Sequence, residues 1–414
     1  MTTLLAVKSL RERPPDWRRL IDRRLIPLVI LGYLVCRTFS AILLVWLAHH
    51  QPVEGIPGGP DGAQPSYWDE VRMWDGRWYR EIVERGYPQT LPIAQDGRVE
   101  QNAWAFLPLY PLSVKALMAV TGASFSVAGS LLSITFGCVA VCVMAVLLRE
   151  RIGAPAALAS VVVFAALPPS ATLQMTYTES LALLVLMGFL LAVTREAWIP
   201  AAAFALTMGL TRPIAAPMAL VVLAVAATRW RDRDVRAVRP AEWWGMAIAF
   251  SGCVVGALLW TWIAGWVTGV SSAYFDTQSA WRSAGIVFFV PWFNNFSLIF
   301  GPVGAVVVLA ALFTAFALMV SGPWARALGP ELLSWTVAYG AYLVATVDVW
   351  TSTYRYAMFL FPLVPIALGF AWRRRDERLL LWFRCAVFMT LVLGWQVWWG
   401  WTLLRFVPPL GNPI

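Results

Sequence analysis

Long apolar stretches recur along almost the whole chain and constrain its fold more than any other feature. A helix needs about 20 mostly apolar residues to cross the hydrocarbon core of a bilayer, and a window of that length predicts about eleven spans. They cover residues 25–48, 126–148, 154–173, 179–194, 199–210, 214–228, 243–267, 295–320, 332–347, 356–372 and 379–401. Because 59% of the residues are hydrophobic and only 13% are charged, the sequence predicts an all-α polytopic membrane protein.

The basic residues predict how these spans are oriented. They form short clusters between spans, at the N-terminus, residues 149–151, Arg195, residues 229–239, Arg326 and residues 373–378. Because cytoplasmic segments are enriched in Lys and Arg, the first long loop, residues 49–122, should lie outside the cell and carry the chemistry. The clusters also explain the net charge of +9 without a nucleic-acid partner. Of 32 basic residues, all but Lys8 and Lys115 are Arg, which is typical of a GC-rich genome and indicates a bacterial plasma membrane.

The predicted organisation has three parts. A basic cytoplasmic N-terminus, residues 1–24, precedes a transmembrane domain, residues 25–401, and a short C-terminal tail, residues 402–414. The first helix lacks a cleavage site and should remain as a signal anchor. Residues 107–120 are apolar but short, and counting them as a span would place the basic cluster at 149–151 outside. They are therefore predicted to form an interfacial helix of the first outer loop.

Several functional classes are disfavoured by what the sequence lacks. Twelve of the 23 acidic residues fall on predicted outer segments and almost none lies within a span, which argues against an ion-coupled transporter. The five cysteines lie in apolar runs without metal-ligand spacing. No metal or other cofactor is expected, although a divalent ion stays open. No cytoplasmic domain for a nucleotide sugar is evident, so a lipid-linked donor fits better than a soluble one.

The first outer loop contains a predicted amphipathic helix at residues 67–87. Apolar side chains recur there at helical spacing, at Val71, Trp74, Trp78 and Ile82. Gly86 and Pro88 should end the helix. Its aromatic face and its Arg and Glu face suit the membrane interface, although such a helix could equally be a lid without chemistry. Asp75 has an alternative interpretation as the N-cap of a helix that starts at Gly76.

Five motifs together resemble the PIG-V-like mannosyltransferases. They are WDGRWYREIVERGY from Trp74, FLPLYP from Phe106, MTYTESL from Met175, Thr211-Arg212-Pro213 and STYRYAMFLFPL from Ser352. Their order and spacing are similar to that family, which includes the second mannosyltransferase of glycosylphosphatidylinositol synthesis and its bacterial relatives. The resemblance extends over residues 25–370. The chain departs from the family's aromatic-rich WDxxHF pattern, because it reads Trp-Asp-Gly-Arg-Trp-Tyr at residues 74–79 and has no histidine there.

The resemblance implies a GT-C glycosyltransferase fold with the active site on the outer face. It implies an inverting transfer of mannose from polyprenyl-phosphate-mannose to a hydroxyl of a lipid or glycolipid acceptor. In that family an acidic residue early in the first outer loop is the catalytic base, and Asp75, next to Trp74, holds the matching position. Asp69 and Glu70 are nearby rivals, although Asp69 also has capping-box spacing from Ser66.

The residue chemistry leads to the same assignment. Transfer from a lipid phosphate needs a base for the acceptor proton and cations for the departing phosphate. The candidate cations on outer segments are Arg77, Arg80, Arg212, Arg282 and Arg355. Arg212 and Arg355 rank first, because each lies at the outer end of a helix beside Thr, Ser or Pro, and snorkelling is the alternative for each.

Trp74 and Glu179 complete the set of candidate substrate-binding residues. Tryptophans of the first loop can stack on a sugar ring. Glu179 has capping-box spacing from Thr176 and is interpreted as structural first, and as a substrate contact second. Two other functions stay open, a GT-C enzyme that uses another polyprenyl-phosphate sugar and a non-enzymatic transporter of lipid or polyprenol phosphate. Such a transporter predicts inverted repeats and charge within the membrane, and the sequence shows neither.

Overall fold

The computed structural model describes residues 16–51, 65–282, 287–349, 351–369 and 377–406. Eighteen α-helices follow one another in this part of the chain. They are α1 Asp16–Arg23, α2 Leu25–Ala48, α3 Tyr67–Glu70, α4 Asp75–Arg85, α5 Leu109–Thr121, α6 Phe125–Ile152, α7 Ala154–Ala166, α8 Glu179–Thr194, α9 Trp198–Gly209, α10 Ala215–Arg231, α11 Pro240–Thr268, α12 Ala273–Ser279, α13 Val290–Ser321, α14 Pro323–Ala327, α15 Gly329–Thr346, α16 Thr353–Ala357, α17 Leu363–Leu368 and α18 Glu377–Trp399. The predicted basic residues 1–15 and 373–376 and the tail residues 407–414 lie outside the described residues.

Short 3-10 and π segments join several of these helices. The 3-10 helices are Ala103–Ala105, Pro168–Gln174 and Met358–Leu360, and a π-helix, Gly400–Leu404, follows α18. The only β pairing within the described residues is an isolated antiparallel bridge between Ile93 and Val99. The all-α prediction is therefore confirmed for the part of the chain that the structure describes.

Five helices are long and apolar enough to cross a membrane. They are Leu25–Ala48, Phe125–Ile152, Pro240–Thr268, Val290–Ser321 and Trp382–Leu404, and a sixth span results if α7 and the 3-10 helix after it count as one. This finding confirms an integral membrane protein by length and composition. Helices α5, α8 and α9 are apolar but have only 13, 16 and 12 residues. The count of eleven spans is not confirmed and stays a prediction.

The third predicted span, residues 154–173, is not one straight helix. Helix α7 ends at Ala166, and the 3-10 helix Pro168–Gln174 leaves it at an angle of 82°. The cause is the Pro168-Pro169 pair, because proline lacks the backbone N–H and disfavours helical geometry in the residue before it. Leu167 accordingly has an extended ψ of 151°.

Side chains from two other helices satisfy the carbonyl groups exposed at this break. The Arg37 guanidinium of α2 donates to the carbonyl of Ala165 at 2.5 Å, to the carbonyl of Ser170 and to Ser170 Oγ at 3.0 Å. Gln396 Nε2 of α18 donates to the Leu167 carbonyl at 3.2 Å. A bilayer offers no water for such groups, so internal partners are required.

The predicted helix at residues 67–87 is also wrong as one element. Helix α3 ends at Glu70, and α4 begins at Asp75 after Trp74, whose φ of 57° is left-handed. A tertiary contact accounts for the break. The Val71 carbonyl accepts a hydrogen bond from the Thr176 N–H at 2.9 Å, and not from a residue one helical turn further along the chain. The predicted end at Gly86 is confirmed.

The predicted span 356–372 consists of short pieces within its described part. Helix α16, the 3-10 helix Met358–Leu360 and α17 follow one another, and Gly369 ends the last with a φ of 64°. Pro362 lies between the 3-10 helix and α17 and, because it has no backbone N–H, interrupts the helical hydrogen bonds there. Residues 370–372 of this prediction lie outside the described residues.

The helices pack into a continuous apolar core. Helix α6 lies against α2, α7 and α8, while α11 lies against α9 and α10, and α15 against α10. Helix α8 is buried on all sides by protein, which suits its uniformly apolar sequence. Helices α9 and α11 approach closely at Gly209, where an added Cβ would lie 2.1 Å from the Gly256 carbonyl oxygen.

Candidate active site

Four charged side chains from distant parts of the chain meet in one cluster, which we call the ion cluster. Arg355 of α16 bridges two carboxylates, with Nη2 2.7 Å from Asp75 Oδ2 and Nη1 2.9 Å from Glu179 Oε1. Arg212, between α9 and α10, places Nη1 2.9 Å from the same Glu179 oxygen. Asp75 and Arg355 are 280 positions apart in the sequence, so tertiary folding alone creates the cluster.

The helix breaks described above position both carboxylates. Asp75 is the first residue of α4, and Glu179 is the first residue of α8. The two segments are joined, because Tyr177 Oη donates to the Met73 carbonyl at 2.9 Å and Thr176 Oγ1 donates to the Val71 carbonyl at 3.1 Å. Both carboxylates therefore lie at helix N-termini, where the helix dipole favours negative charge.

Burial distinguishes the members of the ion cluster. The side chain of Glu179 is 0% exposed, and those of Arg355 and Arg212 are 2% and 10% exposed. Asp75 is 26% exposed. Buried charges need partners, and the two cations and two anions of the cluster compensate each other. Asp75 is thus the one carboxylate of the ion cluster that is open to solvent.

Aromatic rings support the two arginines. The Arg355 guanidinium lies 4.9 Å from the centre of the Tyr177 ring, and that of Arg212 lies 4.8 Å from the Tyr356 ring and 5.2 Å from the Phe359 ring. Such contacts stabilise a guanidinium that has lost its water. They also restrict the directions in which the N–H groups point.

Both capping interpretations of the site carboxylates are wrong. Thr178 precedes α8 without a side-chain cap, and Thr176 uses its hydroxyl for the Val71 carbonyl, so Glu179 is held by Arg212 and Arg355 instead. At α4 the N-cap position is occupied by Trp74, and the Asp75 carboxylate accepts from Arg355. In each case a tertiary ion pair replaces a local hydrogen bond.

The structure places the rival carboxylates in other roles. Asp69 Oδ2 accepts from Ser66 N and Ser66 Oγ at 2.9 and 2.7 Å, which confirms the capping box at α3. Burial raises the pKa of the Asp69 carboxyl, but hydrogen bonds from Ser66 and Arg72 outweigh burial and hold this pKa below its usual range. Glu70 is completely buried and accepts from Gln51 Nε2 at 3.0 and 3.2 Å. Both side chains are less exposed than that of Asp75, Asp69 slightly and Glu70 completely.

The other predicted arginines lie outside the ion cluster. Arg80 Nε pairs with Glu84 Oε1 at 2.7 Å, with both side chains nearly half exposed. Arg77 is exposed, with its guanidinium 5.2 Å from the Trp78 ring. Arg282 donates to the Thr346 carbonyl at 2.9 Å. The structure therefore brings together two of the five predicted cations, Arg212 and Arg355.

Trp74 borders the ion cluster through its neighbour Asp75. Its ring centre lies 6.0 Å from that of Phe406, and its Nε1 is buried without a hydrogen-bond partner among the described residues. No group of three or more His, Cys, Asp or Glu residues able to hold a metal ion occurs in the described part of the chain.

Sequence reasoning missed two buried polar groups. One consists of Arg37 and Gln396, which both bond Ser170 at the α7 break, and its signal was a lone Arg in the middle of a 24-residue apolar helix. The other is the Glu70 and Gln51 pair, which also binds the C-terminal segment, because Gln51 Nε2 donates to the Leu404 carbonyl and Phe406 N donates to Gln51 Oε1. No local pattern marks the second pair.

Fold and site together define the chain as a helical membrane protein with a charge-compensated ion cluster at the ends of broken helices. No protein-family model and no curated protein matches the sequence. Among solved structures, ArnT from Cupriavidus metallidurans bound to undecaprenyl phosphate is similar at 14% identity and a TM-score of 0.49, over 87% of this chain and 63% of that chain.

The oligosaccharyltransferase of Archaeoglobus fulgidus is a second similar protein. Its apo form matches at 14% identity and a TM-score of 0.45, over 92% of this chain and 56% of that chain. The archaeal oligosaccharyltransferase AglB, in complex with an inhibitory peptide and a dolichol-phosphate, matches at 14% identity and a TM-score of 0.44, over 88% and 55%. The chain therefore spans between half and two thirds of the length of these proteins.

Proposed function

We propose that the protein is an inverting membrane glycosyltransferase. It transfers mannose from polyprenyl-phosphate-mannose to a hydroxyl group of a lipid or glycolipid acceptor on the extracytoplasmic face of a bacterial plasma membrane. The ion cluster carries the proposal, because it joins one accessible carboxylate, Asp75, to two buried guanidinium groups, Arg212 and Arg355. The motifs that resemble the PIG-V-like mannosyltransferases supply the choice of mannose and of a polyprenyl carrier.

The transfer is a single displacement at the anomeric carbon. The acceptor oxygen forms a bond to C1 while its proton passes to an Asp75 carboxylate oxygen. The bond between C1 and the phosphate oxygen breaks, and its electron pair leaves with the polyprenyl phosphate. One carboxylate suffices, because inversion in one step needs a base and no second carboxylate as nucleophile.

The two arginines suit the departing phosphate. Charge develops on the leaving oxygen in the transition state, and fixed cations in a site of low dielectric stabilise it more than mobile water does. Guanidinium groups also match phosphate oxygens geometrically. Glu179 is engaged by both arginines and is completely buried, so its role is to hold them in place.

A direct assay tests the proposal. Purified protein is incubated with radiolabelled polyprenyl-phosphate-mannose and a membrane lipid extract, and labelled mannolipid is measured by chromatography. We expect product with the wild type and very little with Asp75→Asn, both checked for folding by thermal midpoint. A parallel reaction with polyprenyl-phosphate-glucose identifies an enzyme for another sugar. Movement of labelled polyprenyl phosphate across vesicles without any product would instead favour a transporter and overturn the proposal.

A further inference from the structure

Asp75 and Glu179 share Arg355 but are held very differently. Glu179 Oε1 lies 2.9 Å from an Nη1 atom of both Arg212 and Arg355, and the side chain is 0% exposed. Asp75 Oδ2 lies 2.7 Å from Arg355 Nη2 and the side chain is 26% exposed. Glu179 is therefore an anchored counterion, whereas Asp75 occupies a position from which it can move into solvent.

The charges of the ion cluster leave no room for a further anion. Two carboxylates already balance the two guanidinium groups. A phosphate oxygen that approaches Arg355 Nη2 would lie beside the Asp75 carboxylate, and like charges at such short range in a partly buried site repel strongly. A phosphate can thus bind to Arg355 only if a carboxylate leaves. Burial excludes Glu179, so the departing group is Asp75.

We infer that binding of the donor exchanges one anion for another on Arg355. The phosphate of the polyprenyl donor takes the Nη2 edge of the guanidinium, and the Asp75 carboxylate turns away towards the acceptor hydroxyl. This inference rests on the proposed function and adds a regulatory step to it. Before the donor binds, the base is engaged by Arg355, so the acceptor alone meets no free base and the donor binds first.

Removal of the negative charge at Asp75 provides the sharpest test. Binding of undecaprenyl phosphate, which lacks the sugar and so needs no turnover, is measured on the purified protein in detergent. Because Asp75→Asn removes the competing anion, we expect it to bind undecaprenyl phosphate about tenfold more tightly than wild type. Arg355→Gln should bind it at least about tenfold more weakly. Asp96→Asn is the matched control, since Asp96 is an exposed carboxylate of the same loop, and its affinity should equal that of wild type.

A second measurement uses the unmodified protein. Carboxyl groups of the wild type are labelled with a water-soluble carbodiimide, with and without undecaprenyl phosphate, and the sites are identified by mass spectrometry. Exchange predicts that undecaprenyl phosphate increases labelling of Asp75 relative to Asp96. Decreased or unchanged labelling would show that Asp75 stays on Arg355, and this result does not depend on the folding of any variant.

The outcomes separate this inference from the proposed function. If the wild type forms mannolipid while Asp75→Asn binds undecaprenyl phosphate no more tightly than wild type, the exchange is overturned and the glycosyltransferase proposal stands. If the wild type forms no glycolipid with either donor and does not bind undecaprenyl phosphate, the exchange and the glycosyltransferase proposal are both overturned. Tighter binding by Asp75→Asn, together with loss of its turnover, supports both.

Discussion

Arg355 holds two carboxylates with the two ends of one guanidinium group, and Lys cannot reproduce this arrangement. Replacement of Arg355 by Lys should therefore lower donor affinity or turnover. A hydrogen bond to a charged group is worth about 1.5 to 3 kcal/mol, which corresponds to a loss of roughly tenfold to hundredfold. Donor titration measures this loss. Arg98→Lys, at an 82% exposed position, is the control and should behave as wild type.

Asp75 is the proposed general base, and its replacement by the amide isostere Asn tests this role. Asp75→Asn keeps the shape of the side chain but removes its basicity, and loss of a general base costs about 10²-fold to 10⁴-fold in turnover. We expect a variant that still unfolds cooperatively, as its thermal transition shows, and forms nearly no mannolipid product. Near-normal turnover would contradict the assignment, and Asp69 and Glu70 would then be poor substitutes, because one is a helix cap and the other is completely buried.

Individual site residues were predictable to different degrees. Asp75, Arg212 and Arg355 stand out in the sequence as charges on outer segments, and the structure places them in one cluster, although their chemical roles stay predictions. Glu179 was misinterpreted because capping-box spacing is visible within four residues, whereas its partner Arg355 lies 176 positions away. Spacing along the chain reports local hydrogen bonds and contains no information on distant ones.

At the scale of helices, the buried Arg37 side chain stabilises the break after α7. Arg37 donates to the Ala165 carbonyl, whose helical partner position is taken by Pro169 without an N–H, and to the Ser170 carbonyl. A buried polar group without a partner costs about 1 to 3 kcal/mol, so Arg37→Leu should lower the thermal midpoint by several degrees. It should also reduce turnover indirectly, because the segment that Arg37 contacts leads to Glu179. Thr38→Val is the matched control, since its hydroxyl bonds only within its own exposed helix face. An unchanged midpoint in Arg37→Leu would contradict this role.

The Glu70 and Gln51 pair connects three elements, α3, the end of α2 and the segment after α18. The Glu70 carboxyl accepts from Gln51 Nε2, and the charge of the neighbouring Asp69 also acts on it. Gln51 Nε2 in turn contacts Met73 Sδ and the Leu404 carbonyl. Burial raises the pKa of Glu70 from 4.5 to about 8, while the hydrogen bond from Gln51 opposes the increase. The buried carboxyl is thus favoured in its protonated form.

This pKa shift predicts how stability depends on pH. The folded protein binds the Glu70 proton more tightly than the unfolded chain does. The stability that protonated Glu70 contributes is therefore complete below about pH 4.5 and is lost as the pH rises to about 8. We expect the thermal midpoint to fall across this interval, and Glu70→Gln should flatten the decline. Glu84→Gln, which changes an exposed carboxylate, should retain it. An identical pH profile for wild type and Glu70→Gln would show that Glu70 does not titrate in this range.

For the whole molecule, apolar windows predicted the class of protein but not where its helices break. A window measures only hydrophobicity and does not report whether an apolar helix faces lipid or is enclosed by protein, as α8 is. It also averages over prolines, so the break at Pro168 and the short pieces around Pro362 were missed. The position of the ion cluster at these breaks follows from tertiary contacts that the windows do not contain.

The orientation of the whole protein is the last prediction. Helices α8 and α10 begin at or beside a residue of the ion cluster and end near basic residues, and α6 has basic residues at its C-terminal end. Helix α8 runs from Glu179 to Thr194 next to Arg195, α10 follows Arg212 and ends at Arg231, and α6 ends beside Arg149 and Arg151. The 17 residues of α10 span about 25 Å, close to the thickness of a bilayer core. The positive-inside tendency therefore predicts that the ion cluster lies on the extracytoplasmic side.

Single-cysteine labelling tests this orientation. The five native cysteines are replaced, and Asp96→Cys and Asp234→Cys are introduced separately at two exposed positions. In intact cells a membrane-impermeant maleimide should label Asp96→Cys at once, because its loop adjoins the site. Asp234→Cys, which lies in the basic loop after α10, should react only after the membrane is permeabilised. Labelling of Asp234→Cys but not Asp96→Cys in intact cells would place the ion cluster in the cytoplasm, where it could not meet a donor and acceptor presented on the outer leaflet.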